Sequence, residues 1–192
     1  MNILTRTELR YTKFFSINMC AIAGIFLAGA ASTSIDLIAP EYVGLVDLKT
    51  GTRLALVLLF GYWVLPGILL GSIGSNMLFL PYDDIHDSIR VIFALLESTI
   101  PYLALLFLHR FKWDQFYADS RMITAHLVAF CALTSIMCSL AMVLVMQGLR
   151  LTENYHLFEH LGAHFSGTLS GTFIVFFMFI LMTRAFMAKL KE

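Results

Sequence analysis

Residues 51–80 read GTRLALVLLFGYWVLPGILLGSIGSNMLFL, and this run constrains the fold more than any other. It is almost wholly apolar, yet it breaks at its centre, at Phe60-Gly61-Tyr62-Trp63 and again at Pro66-Gly67. A bilayer core about 30 Å thick needs about 20 apolar residues of helix. The run is too long for one ordinary span and short for two. Whether it crosses once or twice sets the direction of every segment that follows.

The rest of the chain is nearly as apolar. Of 192 residues, 59% are hydrophobic, and the mean hydropathy is +0.80. A soluble domain of this size could not hide that much apolar surface. The expected fold is therefore a single all-α, polytopic membrane domain of about six transmembrane helices. Residues 1–13 form an N-terminal segment, 14–187 the helical bundle and 188–192 the tail. The expected spans are 14–37, 53–61, 65–80, 89–108, 122–146 and 165–187, the second and third being short. A nine-residue second span covers only about 14 Å. It needs help from 49–52, from tilt, or from burial among other helices.

Charge tests the count. With six crossings and a cytoplasmic N-terminus, the inner segments hold Arg6, Arg10, Lys13, Arg110, Lys112, Arg121, Arg184, Lys189 and Lys191. The outer segments hold Lys49, Arg53, Arg90 and Arg150. A single crossing of 51–80 would invert everything after it and turn the basic tail outward. The positive-inside rule thus prefers an even count with both termini inside. Thirteen basic residues balance thirteen acidic ones, which gives no reason to expect nucleic acid as a partner. Cys20, Cys131 and Cys138 fall inside expected helices and read as small apolar residues.

Three stripes of small residues recur at four-residue spacing: Gly24, Ala28 and Ser32; Gly67, Gly71 and Ser75; Ala163, Gly167 and Gly171. Such stripes let helix backbones approach closely in lipid. They serve packing within the bundle or a docking face for a partner.

Glu97 is the sharpest candidate for chemistry. It lies about 12 Å into the fourth span, counting 1.5 Å per residue. A lone carboxylate there is costly to ionise, so it is neutral, paired, or wetted within the bundle. Pro101 follows four residues on and removes the helical hydrogen bond to the Glu97 carbonyl. The structural alternative is a helix–helix hydrogen bond to Asn76, Ser72 or a hydroxyl of the sixth helix. Asn76, with Ser72 and Ser75, makes a second polar patch, readable as ligand contact or as glue between helices.

Histidines cluster elsewhere. His156, His160 and His164 recur every four residues and share one helical face, a spacing that metal-binding helices use. A divalent metal site is one reading; an interfacial amphipathic helix is the other. No Walker loop, nucleophile elbow or dinucleotide fingerprint appears, so no enzyme and no organic cofactor is expected.

The order of these features resembles the membrane-associated sensor domain of the first MASE type, a bacterial family. The residues carrying the resemblance are Val43-Gly44-Leu45-Val46, Gly51, the apolar run ending at Phe60-Gly61, Pro66-Gly67-Ile68-Leu69-Leu70-Gly71, Asn76, Glu97, and Gly167-Thr168-Leu169-Ser170-Gly171. Two motifs depart. Asp47-Leu48-Lys49-Thr50 stands where the family has Trp-Pro-Pro-Ala, and Thr168 stands where it has an acid. The resemblance implies an integral sensor of a bacterial cytoplasmic membrane. Glu97 and Asn76 would then contact a small ligand, with Ser72, Thr99, Thr168 and Ser170 as neighbours. The signal would pass to a separate output protein. The size and small-residue stripes also resemble the substrate-binding component of energy-coupling-factor transporters, which would imply transporter subunits as partners.

Overall fold

A computed structural model describes residues 3–38, 46–79, 86–113, 117–118, 121–122, 124–148 and 157–189. They form α1 (Ile3–Ile38), α2 (Leu48–Phe60), a single 3-10 turn (Gly61–Val64), α3 (Leu65–Phe79), α4 (Asp87–Arg110), α5 (Thr124–Gly148) and α6 (Leu157–Lys189). Among the described residues, Tyr117–Ala118 and Arg121–Met122 pair as an antiparallel ladder. Among the described residues, five stretches are long and apolar enough to cross a membrane, and the whole of Leu48–Phe79 is one of them. This is an all-helical, multi-pass membrane protein.

Leu48–Phe79 folds back on itself. Lys49 Nζ reaches Asn76 Oδ1 at 3.3 Å, and Arg53 Nε reaches Ser72 Oγ at 3.0 Å. In a continuous helix, residues 27 apart would lie about 40 Å from each other. Both pairs are centred on Tyr62 and Trp63, so α2 and α3 form an antiparallel hairpin. Gly61 makes the reversal possible. It has φ 60° and ψ −141°, a region that only glycine enters without strain.

Packing against α1 measures the depth of this hairpin. Its turn lies beside Phe14, whose ring meets that of Trp63 edge-on at 5.9 Å. Its far end lies beside Ser32, whose Oγ accepts from the Leu48 amide at 3.1 Å. Phe14 and Ser32 are about 27 Å apart along α1, close to the thickness of a hydrocarbon core. Each arm therefore runs the depth that α1 runs. The second helix starts at Leu48 rather than at Arg53, so the feared shortfall disappears. The first and sixth helices are also longer than expected, reaching back to Ile3 and to Leu157.

The helices close a ring in the order α1, α3, α4, α5, α6, α2 and back to α1, with α2 also touching α4 across it. Gly67 and Gly71 face Asn18 and Ile22 of α1, so α1 and α3 run parallel. Asp47 lies against Gly167 and Gly171, and Gly51 one turn on lies against Gly171 and Val175, so α2 and α6 run parallel too. The N-terminal end of α1 and the C-terminal end of α6 consequently emerge on the same side as the hairpin turn.

Close backbone approach explains the small residues. A Cβ on Gly67 would meet the Asn18 backbone at 2.6 Å, and one on Gly171 would strike the Asp47 carbonyl. The Asp47 amide also donates to the Gly167 carbonyl at 2.9 Å. Gly24 faces Thr52 of α2, and Gly29 faces Ser75 of α3. The stripes at Gly24, Gly67 and Gly167 are thus used within the ring.

An apolar cluster fills the half of the ring nearer the hairpin turn. It holds Ala21, Ile25, Leu54, Val57, Val64, Ile68, Ala104, Leu108, Leu127, Phe130, Cys131 and Phe176. Tyr62 and Trp63 stay about half exposed at the turn, as an aromatic belt requires.

Asn18 pins the turn to α1. Its Nδ2 donates to the Trp63 carbonyl at 3.1 Å, and its Oδ1 accepts from the Gly67 amide at 2.5 Å. These groups are otherwise orphaned at the junction of two short helices. N18L should lose both bonds and leave them unsatisfied, at about 1–3 kcal/mol each. Hydrogen exchange is expected to rise over 61–67 while α5 stays protected. Unchanged exchange there would refute this role for Asn18.

Candidate polar centre

The other half of the ring interior is polar. Arg53 of α2 is fully buried, and its Nη2 lies 2.6 Å from Glu97 Oε2 of α4. Asn76 of α3 donates to the same oxygen at 3.3 Å. Ser72 holds the Arg53 Nε, and Lys49 reaches the Asn76 side-chain oxygen. Three helices therefore meet at one buried ion pair. Arg53 directly follows Thr52, which faces Gly24 of α1, so the pair lies near mid-depth of the ring. Taking two charges out of water costs several kcal/mol per ion. Here that cost is offset by their contact and by the polar neighbours Asn76, Ser72 and Lys49.

Several expected site residues come together in this cluster: Glu97, Asn76 and Ser72. Glu97 is paired, one of the states expected for it, and Asn76 is one of its partners. Ser72 acts at one remove, through Arg53. Thr99 points away. It is exposed, and its hydroxyl donates back to the Leu95 carbonyl at 2.9 Å. It lines an outward crevice of about 290 Å³ with Leu65, Pro66, Leu69 and Ser98. Thr168 is buried in α6 and donates to the Phe165 carbonyl at 3.0 Å. Ser170, half-buried, donates to the Gly167 carbonyl at 3.1 Å. Both hydroxyls thus return to their own helix.

The position of Arg53 differs from the sequence expectation, which counts it in an outer segment; it is buried beside Glu97. A signal was present. A buried acid requires a counter-charge, and Arg53 is the basic residue within the otherwise apolar 51–80.

Above the ion pair, 47–50 makes the N-cap of α2. The Asp47 carboxylate accepts from the Lys49 amide at 3.0 Å and from the Thr50 hydroxyl at 2.5 Å. Burial pushes the Asp47 carboxyl up, but Lys49, Arg53, the Thr50 hydroxyl and His164 together hold it below the ordinary carboxylate value. A depressed pKa contributes stability that is present above the unfolded value and lost as pH falls through the folded one. Wild type should therefore melt above D47N at neutral pH, with the gap closing below about pH 4. A gap that persisted at lower pH would contradict the assignment.

His164, half-buried on α6, has Nδ1 3.3 Å from the Ser139 hydroxyl of α5. His156 and the side chain of His160 lie outside the described residues. Among the described residues, no group of three His, Cys, Asp or Glu side chains converges as a metal site would. Comparison with protein-family models, curated proteins and solved structures found no match to this chain.

Proposed function

We propose that this chain is an integral membrane sensor module that receives a small polar ligand at the centre formed by Arg53, Glu97 and Asn76. The carrying observation is the buried ion pair at mid-depth, shared between the α2–α3 hairpin and α4. Apolar side chains of equal volume would hold these helices together at no greater cost, and intramembrane ionisable groups are functional by default. A ligand that alters the contact between Arg53 and Glu97 moves the hairpin against α4. Pro101 sits one turn beyond Glu97, inside α4, and a proline at that place gives the helix a point to bend. Helices α1 and α6 run past the ring on one side and would carry the shift to a partner protein. The charge bias makes that side cytoplasmic, and the MASE-like order of motifs supports a bacterial inner membrane.

Native mass spectrometry of the full chain, released from mild detergent, tests this reading. Wild type should carry a small molecule that E97Q and N76A release. If wild type and E97Q carry the same lipid and nothing else, the sensor assignment fails. Co-purification with an ATPase would point instead to an energy-coupling-factor type of transport.

A further inference from the structure

Buried polar atoms in this ring are not all satisfied. Arg53 Nη1, Thr134 Oγ1 and Ser135 Oγ have no hydrogen-bond partner among the described residues, and all three side chains are fully buried. Such orphans are rare in native structures, and each calls for an explanation. Ser75 Oγ is a fourth, but it faces Gly29 at the seam of α1 and α3, away from the ion pair.

The other three belong to one region. Thr134 and Ser135 follow Cys131 by three and four residues and precede Cys138 by four and three. All four lie on one stripe of α5. Cys131 packs in the apolar cluster with Leu54 and Val57 of α2. Phe93 of α4 packs with Met142 and Met146 of α5, and Ala104 and Leu108 share the apolar cluster with Leu127 and Cys131, so Cys138, one turn before Met142, lies level with Glu97, one turn after Phe93. The two orphaned hydroxyls thus sit between the apolar cluster and the charged centre.

Glu97 is incomplete as well. Both of its side-chain hydrogen bonds, from Arg53 and Asn76, go to Oε2, and among the described residues none goes to Oε1. Its side chain keeps 9% of its surface accessible. The centre therefore offers an open donor edge on Arg53, an open acceptor on Glu97 and two hydroxyls able to do either.

Charge narrows what fits. Arg53 and Lys49 face Glu97 and Asp47, and their formal charges cancel. A net anion or cation added here would leave an uncompensated charge in a low-dielectric interior.

We infer that the orphaned Arg53 Nη1, Glu97 Oε1, Thr134 and Ser135 form the ligand subsite, and that its ligand is a small zwitterion of the amino-acid class. The carboxylate takes the Arg53 edge, the ammonium takes Glu97 Oε1, and the hydroxyls of α5 close the remaining bonds. This inference rests on the sensor reading and gives its ligand a chemistry.

Three probes of one size test it on the full chain in detergent: alanine, propionate and propylamine, the last a cation at neutral pH. Alanine should raise the apparent melting temperature of wild type, and the other two should not. The T134V/S135A double variant discriminates further. With the orphaned hydroxyls gone, the ligand-free protein should melt higher than wild type, by roughly 2–4 °C for each kcal/mol relieved. Its response to alanine should fall at least about tenfold in affinity, the effect of losing about 1.4 kcal/mol. A shift with propionate or propylamine alone would overturn the zwitterion class while leaving a ligand-receiving centre intact. No shift with any probe overturns the subsite, however the double variant melts. A double variant that melts below wild type shows that the hydroxyls are bonded for structure, and this also overturns it. The release of a carried molecule by E97Q is read independently, so the sensor reading stands or falls on its own.

Discussion

E97L should be the most damaging single substitution in this protein, and R53M should come close behind. Each leaves a full charge buried with its counter-ion gone, and breaking a buried pair from one side costs about 3–5 kcal/mol. That is a large share of the stability of any domain. Expression as folded, monodisperse protein in detergent should fall sharply for both. The double variant R53M/E97L should recover most of the loss, because it buries no charge and keeps similar volume. Rescue is the informative outcome, since it separates an ion pair from two unrelated packing sites. If the double variant loses as much as the sum of the singles, the two residues are not energetically coupled. The recovered protein should then fail to carry a ligand, which is the expectation if the pair serves recognition rather than folding.

The second large effect lies at the crossing of α2 and α6. A Cβ on Gly171 strikes the Asp47 carbonyl, and one on Gly51 meets the Gly171 carbonyl at 2.7 Å. Both obstacles are backbone, which cannot rotate away. G171L should push α6 off the N-cap of α2, breaking the bond from the Asp47 amide to the Gly167 carbonyl. Overpacking alone costs about 1–3 kcal/mol, and the lost cap adds about 1 kcal/mol. G162L is the control, since nothing among the described residues lies within 4 Å of a Cβ there. Thermal unfolding in detergent should show a large drop for G171L and little change for G162L. Equal behaviour of the two would mean that α2 and α6 do not meet through glycine.

Much of this architecture is legible in the chain. Apolar run lengths announce the membrane helices, and the break at Gly61 announces a reversal because a glycine there can take positive φ. Charge bias chooses an even number of crossings, in agreement with the hairpin. Glu97 stands out because an acid so deep in a helix demands compensation. Two local cues mislead. Charge ordinarily marks a helix end, which puts Arg53 in a segment outside the membrane, and closeness in sequence groups Thr99 with Glu97. Two positions on, however, a helical side chain points about 200° around the axis, and Thr99 faces out. Thr168 and Ser170 return their hydroxyls to their own helix, as serine and threonine commonly do.

The sequence by itself determined that the chain is a multi-pass helical membrane protein, roughly where its helices lie, that the central run reverses, and that Glu97 is neutral, paired or wetted. Those are consequences of hydropathy, backbone freedom and the cost of a buried charge, all of which act locally. Only the tertiary structure decided the order of the ring, the use of its glycines at the contacts of α1 with α3 and α2 with α6, and the choice of Arg53 as the partner. Residues 53 and 97 are brought to 2.6 Å only when the hairpin closes against α4. The unsatisfied hydroxyls of α5 likewise become a feature only once the ring surrounds them, because an orphaned polar atom is defined by its neighbours.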